Sequence, residues 1–192
     1  HALDVIAAGG VVAFPTDTVY GIGVDPFNTD AVGKLFAAKG RPPEKAIPIL
    51  LGRNEAIDIV VNDIPAWVES LSSSFWPGAL TIVLKKKGSV PQIVSRTGTL
   101  GVRIPDHPIA LEFLRASGPL AVTSANPSGA PEASNATEVL AGLEDMIDLV
   151  VDGGLTPGGR PSTVLDCTVQ PPVILRQGPI SRAQIFAVLN SA

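Results

Sequence analysis

Apolar positions in this chain come in short blocks, and glycine or proline closes almost every block. Residues 3–8 have helical spacing and stop at Gly9-Gly10. Val11-Val12-Ala13-Phe14 reads as a short apolar strand ending at Pro15, and a loop runs on to Gly21. Asn28, Thr29 or Asp30 can cap a helix reaching Lys39, with Val32, Leu35 and Phe36 on one face. Gly40 ends it, and Pro42-Pro43 forbids its continuation. Residues 47–51 have strand character, which Pro48 directs toward a sheet edge. Helical stretches over 54–61 and 65–75 run up to Trp76-Pro77-Gly78. Strands are predicted over 80–84, 101–104, 120–123, 147–151, 163–166 and 173–176. Helices are predicted from Pro108 to 116, near 136–144, and from a Ser181 cap through 189. Strands and helices mix without a strict βαβ rhythm or an internal repeat, which predicts one α/β domain on a mixed sheet.

Composition narrows the function classes. The chain has 192 residues, 45% of them hydrophobic, enough for a sizeable core in one domain. No apolar run approaches the roughly 18 to 20 residues a membrane span needs, so no membrane association is expected. The opening His1-Ala2-Leu3-Asp4 has neither a basic n-region nor an apolar h-region, and so predicts no signal peptide. A single cysteine, Cys167, suits a reducing cytosol, and a cytoplasmic location is expected. The net charge of -4 argues against a broad basic surface that coats nucleic acid. It does not argue against a small anionic ligand. The 19 glycines and 18 prolines fall in many short motifs, the pattern of tight, ligand-bearing loops on a rigid scaffold.

Familiar catalytic sets are missing. Only His1 and His107 could serve a serine or cysteine nucleophile, and His107, between Asp106 and Pro108, reads as a turn residue. Ligands for a zinc site, a Gly-x-x-x-x-Gly-Lys-[Ser/Thr] loop and a dinucleotide fingerprint are all absent. What remains is a scattered set of cations and hydroxyls. Lys39 and Arg41 flank a helix end, where Lys39 can simply complement the helix dipole. Alternatively the pair, with Lys45, makes a polyphosphate clamp. Arg103 alternates with Val102 and Ile104, so it faces either solvent or a cleft where it can grip a carboxylate. Ser124-Ala125-Asn126 follows a strand's C-terminal end, either as a ligand edge or as a turn with Pro127. Gly158-Gly159-Arg160-Pro161-Ser162-Thr163 can form an amide nest for an anion, though glycine loops are common. Lys85-Lys86-Lys87 reads as a solvated strand end, or else a minor RNA contact.

Taken together, these motifs resemble the YrdC/Sua5/TsaC family of threonylcarbamoyl-AMP synthases. The resemblance rests on Phe14-Pro15-Thr16-Asp17-Thr18-Val19-Tyr20-Gly21, Lys39-Gly40-Arg41-Pro42 and Trp76-Pro77-Gly78 leading to Thr81. Gly101-Val102-Arg103-Ile104-Pro105, Ser124-Ala125-Asn126-Pro127-Ser128-Gly129, Pro161-Ser162-Thr163-Val164 and Arg176-Gln177-Gly178 follow in the family's order. It implies a YrdC-like α/β domain, a large twisted mixed sheet flanked by helices around a concave cavity. Residues 1–192 would form that single domain, without the additional C-terminal domain of Sua5-type members.

The activity implied is synthesis of threonylcarbamoyl-adenylate from L-threonine, bicarbonate and ATP. The enzyme class is a nucleotidyltransferase serving tRNA modification, with Mg2+ held mainly through the ATP phosphates. By resemblance, Lys39 and Arg41 are catalytic and hold the triphosphate, while Lys45, Thr99, Asn126, Ser134 and Arg176 complete the nucleotide site. Thr18, Arg103, Ser124 and Ser162 would hold L-threonine, with Arg103 on its carboxylate. A separate tRNA threonylcarbamoyltransferase would be the partner, and weak tRNA binding is a secondary expectation. Two departures are visible: the loop Arg41-Pro42-Pro43-Glu44-Lys45-Ala46-Ile47-Pro48 is longer than the commonest family pattern, which bears on Lys45, and the strand after it differs. Family members often carry a histidine in the strand after the Lys-x-Arg loop, where this chain has Ile47-Pro48-Ile49-Leu50-Leu51. Rival readings are a carbamoyl-adenylating domain of the hydrogenase-maturation type, an RNA-binding module without catalysis, and a regulatory relative with a decayed site.

Overall fold

The computed structural model describes residues 1–62 and 64–191. Six helices are described: α1 (Ala2–Ala7), α2 (Thr29–Lys39), α3 (Ala66–Phe75), α4 (Pro108–Ser117), α5 (Ala136–Leu143) and α6 (Arg182–Ser191). The strands are β1 (Val12–Phe14), β2 (Gly21–Val24), β3 (Ile49–Leu50), β4 (Leu80–Lys85), β5 (Thr99–Arg103), β6 (Leu120–Ser124), β7 (Leu149–Val150), β8 (Thr163–Asp166) and β9 (Val173–Arg176). They form one mixed sheet in the order β7-β1-β2-β6-β3-β5-β4-β8-β9. The β1–β7, β3–β5 and β4–β8 pairs are parallel, and the remaining pairs are antiparallel.

Alternation along the strands decides what faces the cavity. Leu80, Ile82 and Leu84 of β4 and Leu100, Val102 and Ile104 in and after β5 are buried in the larger core. That core also takes Val32 and Leu35 of α2, Leu71 of α3, Val139 of α5 and Ile185 of α6. Each fully buried aliphatic side chain contributes about 1.5–3 kcal/mol of transfer free energy. Because side chains alternate at period two, Thr81, Val83, Gly101 and Arg103 are left on the opposite face. On that face α1 and α4 cover only part of the sheet. Ile6, Ala110 and Leu114 pack there with Val12, Phe14, Leu50, Leu120 and Val122. Phe113 meets the Phe14 ring edge-on, with centroids 5.2 Å apart. The uncovered remainder is where loops gather.

Three elements differ from the sequence expectation. β2 was not predicted, because two of its four residues are glycines and the usual β-branched signal is weak. β3 lies in the middle of the sheet, not at its edge. Pro48 stands just before the ladder and uses its carbonyl, which accepts from Val122 N at 2.9 Å, so its missing N–H costs no sheet bond. The segment Asn54–Ile59 is a 3-10 helix and not an α-helix.

Helix α2 places two of the motif cations. The Asn28 side chain caps it by accepting from Ala31 N at 3.1 Å. Gly40 ends it in the left-handed conformation at φ 57, where a side chain would be strained. Its N–H and that of Arg41 return to Ala37 O and Phe36 O. The chain therefore turns sharply, leaving Lys39 in the last turn and Arg41 just beyond it.

Candidate active site

A cavity of about 340 Å³ opens on the uncovered face of the sheet. Thr18, Arg41, Arg103, Ser124, Ser162 and Arg176, all named from the sequence, line it. Thr81 and Glu132 join them, and Pro48, Leu50 and Val122 form part of an apolar wall.

Arg103 is the most heavily constrained of the three guanidiniums. It is 5% exposed; Nε donates to Gly78 O at 2.8 Å and Nη1 to Thr18 Oγ1 at 3.1 Å, while Nη2 makes an ion pair with Asp17. Burial lowers its pKa from the ordinary value, and the Asp17 carboxylate opposes that shift. Three of five N–H donors are thus committed, leaving two for a ligand. Thr16 in turn fixes Thr18. Thr16 Oγ1 gives its single proton to Val19 O at 2.7 Å, and the two threonine hydroxyls lie 3.0 Å apart. The Thr18 hydroxyl is therefore the donor of that pair, and accepts from Arg103. Asp17, Thr16 and Thr81 received no role from the sequence. Asp17 sits inside the Pro15–Gly21 run, and its only signal was that it is the one charged residue there.

On the other side, Ser162 Oγ lies 2.8 Å from Thr81 Oγ1. Arg176 brackets Ser162 O with Nε at 3.1 Å and Nη2 at 2.9 Å. Gly178 makes this possible, since a Cβ there would collide with Pro161 and Thr163 backbone. Arg41 is held the same way, with Nε on Lys45 O at 3.2 Å and Nη2 on Ala46 O at 2.8 Å. Among the described residues nothing bonds Nη1 of either arginine. Burial lowers both pKa values, with Arg176 adding repulsion at Arg41 and Glu132 opposing the shift at Arg176. Both remain cations, because arginine starts so high.

Other named residues lie off the cavity lining. Lys39, 3% exposed, donates from Nζ to Ser124 O, Asn126 O and, at 3.2 Å, Asn126 Oδ1. Burial, with Arg41 beside it, lowers its pKa to about 8, against an opposing pull from Glu132. The Asn126 amide donates to Pro127 O and Ala130 O, so that side chain is spent on its own turn. Lys45 is exposed and contributes its carbonyl to Arg41. Thr99 shares hydroxyl contacts with Thr97, and Ser134 donates its N–H and hydroxyl to Glu138 near the start of α5. The expected anion nest at Gly158-Gly159 is a packing device. Gly159 N donates to Thr18 O at 2.8 Å, and Gly158 leaves room for the Asp17 and Thr18 backbone. Lys86 and Lys87 bond backbone carbonyls, and Lys85 is exposed. His107 does not line the cavity; burial lowers its pKa against Asp17 and Asp106. Among the described residues no His, Cys, Asp or Glu group is arranged to hold a metal, and no helix is long and apolar enough to cross a membrane.

The family model Sua5/YciO/YrdC, described as telomere recombination, matches residues 4–178. The chain belongs to the Sua5/YciO/YrdC family. It is 43% identical to the threonylcarbamoyl-AMP synthase of Bacillus subtilis, over 94% of this chain and 53% of that protein. It is 37% identical to the threonylcarbamoyl-AMP synthase of Stutzerimonas stutzeri, over 84% of this chain and 88% of that one. Pyrococcus abyssi Sua5, solved in complex with L-threonine, superposes with a TM-score of 0.95 at 40% identity, covering 97% of this chain and 56% of that one. The chain spans about half the length of the Bacillus and Pyrococcus relatives. In this Sua5/YciO/YrdC member, the cavity residues come from segments scattered between Thr16 and Arg176, inside the matched span.

Proposed function

We propose that this chain joins L-threonine, bicarbonate and ATP into threonylcarbamoyl-adenylate and pyrophosphate, as an adenylyl-transferring enzyme that supplies tRNA modification. The observation that carries the reading is the convergence of Arg41, Arg103 and Arg176 on one cavity, each oriented by fixed protein oxygens. Glu132 is the only carboxylate on that lining among the described residues, so the cavity calls for anions.

Arg103, with the Thr18 and Ser162 hydroxyls nearby, takes the amino-acid carboxylate. Ser124 lines the same cavity and contributes a further hydroxyl. Arg41 and Arg176 face the phosphates. The neutral amine of threonine forms a C–N bond to the carbon of bicarbonate, a C–O bond breaks, and water leaves with the amine proton to give an N-carboxylate. A carboxylate oxygen then attacks the α-phosphate, a new P–O bond forms, and the bond to the pyrophosphate group breaks. Bringing two unit charges to 4 Å costs about 4 kcal/mol at an effective dielectric of 20. Fixed guanidiniums offset that cost and stabilise the charge that develops in the transition state. No protein nucleophile is needed. Mg2+ would arrive on the ATP phosphates and neutralise part of their charge. Such a metal usually keeps phosphate and water ligands with one or two carboxylates, and Glu132, on the cavity lining, is the residue that would join them. Transfer of the threonylcarbamoyl group to tRNA belongs to a separate transferase.

The test is pyrophosphate release from MgATP, with threonine and bicarbonate omitted in turn. Release that requires both supports this reading. Release with carbamoyl phosphate in their place moves the assignment to carbamoyl-adenylating relatives, and none from folded protein favours a binding module.

A further inference from the structure

We propose that Lys39 is a positioning residue that locks the turn carrying Ser124 and Asn126, and is not itself a contact to the nucleotide phosphates. This rests on the proposed function for what the turn positions, but the lock itself is visible without it.

Three observations carry the argument. First, the ammonium is already saturated. Nζ faces Ser124 O, Asn126 O and Asn126 Oδ1, and an ammonium has three N–H donors. Ser124 O also accepts from Asn126 N at 3.0 Å, but among the described residues Asn126 O and Oδ1 have Lys39 as their one donor, and turning the ammonium toward a phosphate would strand them. Second, Lys39 holds the turn from both of its ends. Its own carbonyl accepts from Ser128 N at 2.8 Å, so side chain and backbone together span residues 124 to 128. Third, the side chain is buried and does not line the cavity, whereas Arg41 and Arg176 do, each with Nη1 uncommitted among the described residues. The lowered pKa of Lys39 agrees with a desolvated cation whose partners are uncharged oxygens.

Charge and geometry make different demands on this position. A phosphate clamp needs a cation, which arginine supplies. A three-way lock needs a compact donor whose protons diverge from one atom, which a planar guanidinium does not supply.

The test compares Lys39→Met, Lys39→Arg and Arg41→Met in the intact chain. Amide hydrogen exchange is read without ligand, and binding of magnesium pyrophosphate and of L-threonine is read separately. The lock predicts that exchange at Ala125, Asn126 and Ser128 rises about tenfold or more in both Lys39 variants, confined to that turn, and not in Arg41→Met. It also predicts that both Lys39 variants weaken threonine binding by about tenfold or more while pyrophosphate affinity stays within about threefold, with Arg41→Met doing the reverse. Loss of pyrophosphate binding in Lys39→Met with rescue by Lys39→Arg would overturn the proposal in favour of a clamp. Unchanged exchange at the turn would overturn it as well. If Lys39→Met does not fold, Lys39→Arg carries the same readouts. A wild-type chain that binds neither ligand, yet shows the exchange effect, would retain the lock and sink the proposed function instead.

Discussion

Arg103 and the pair Arg41 and Arg176 carry the same side chain on one cavity, but they are prepared for ligand in different ways. Arg103 rises from a central strand and is held by Gly78, Thr18 and the Asp17 carboxylate before anything binds. Arg41 stands in the loop after α2 and Arg176 on an edge strand, each gripped along one edge by backbone oxygens and charge-paired with no carboxylate among the described salt bridges. A neutralised, buried guanidinium suits one small carboxylate, recognised by direction. Two guanidiniums with no salt-bridge partner among the described residues suit a polyanion, recognised by charge. Arg103 therefore belongs to the stability of the fold, and the Arg41 and Arg176 pair is separable from it; under the proposed function these are the carboxylate end and the phosphate end.

The largest effect expected from that contrast falls on Asp17. Asp17→Ala leaves the Arg103 charge buried without a partner and costs about 3–5 kcal/mol, read as a shift in the urea midpoint. A midpoint close to wild type would mean that the two ends are built alike. Next comes Arg41→Ala, which lowers adenylate formation roughly a hundredfold through lost charge stabilisation while leaving the melting temperature near wild type. A large drop in melting temperature would blur the comparison by making the phosphate end structural too.

A third prediction concerns pH. Unfolded Lys39 keeps its proton to about 10.5 and folded Lys39 only to about 8, with burial and Arg41 lowering it and Glu132 opposing them. Between those values the unfolded state binds more protons, so this group's contribution makes stability rise with pH. Lys39→Met should remove that upward slope from unfolding curves taken across the window. The smallest effect is expected at Lys45. Its side chain is exposed and only its carbonyl touches Arg41, so Lys45→Ala should change pyrophosphate affinity by less than about threefold.

Legibility in the sequence followed physical cause. Helix α2 was readable because Asn28, the apolar face and Gly40 all act locally. Strand β2 was not, because Gly21 and Gly23 are chosen for close approach to β6 and carry no strand signal; a Cβ on Gly21 would meet Val122 at 2.7 Å. The central place of β3 depended on where Pro48 falls relative to the ladder, a one-residue matter of register. In the site, the resemblance named Thr18, Arg41, Arg103, Ser124, Ser162 and Arg176, which share the cavity. It could not tell that Lys39 turns its ammonium onto the 124–126 turn, since that depends on how α2 meets the end of β6. Asp17 was passed over because its partner lies 86 residues away.

The most direct measurement compares L-threonine with L-threoninamide as ligands of the wild-type chain by calorimetry. The amide keeps the amine, hydroxyl and methyl but lacks the carboxylate. Threonine is expected to bind, and the amide to be weaker by about a hundredfold, because two Arg103 donors lose their charged acceptor. Equal binding of the two would contradict the assignment of Arg103 to the carboxylate, and with it the division of the cavity into a carboxylate end and a phosphate end.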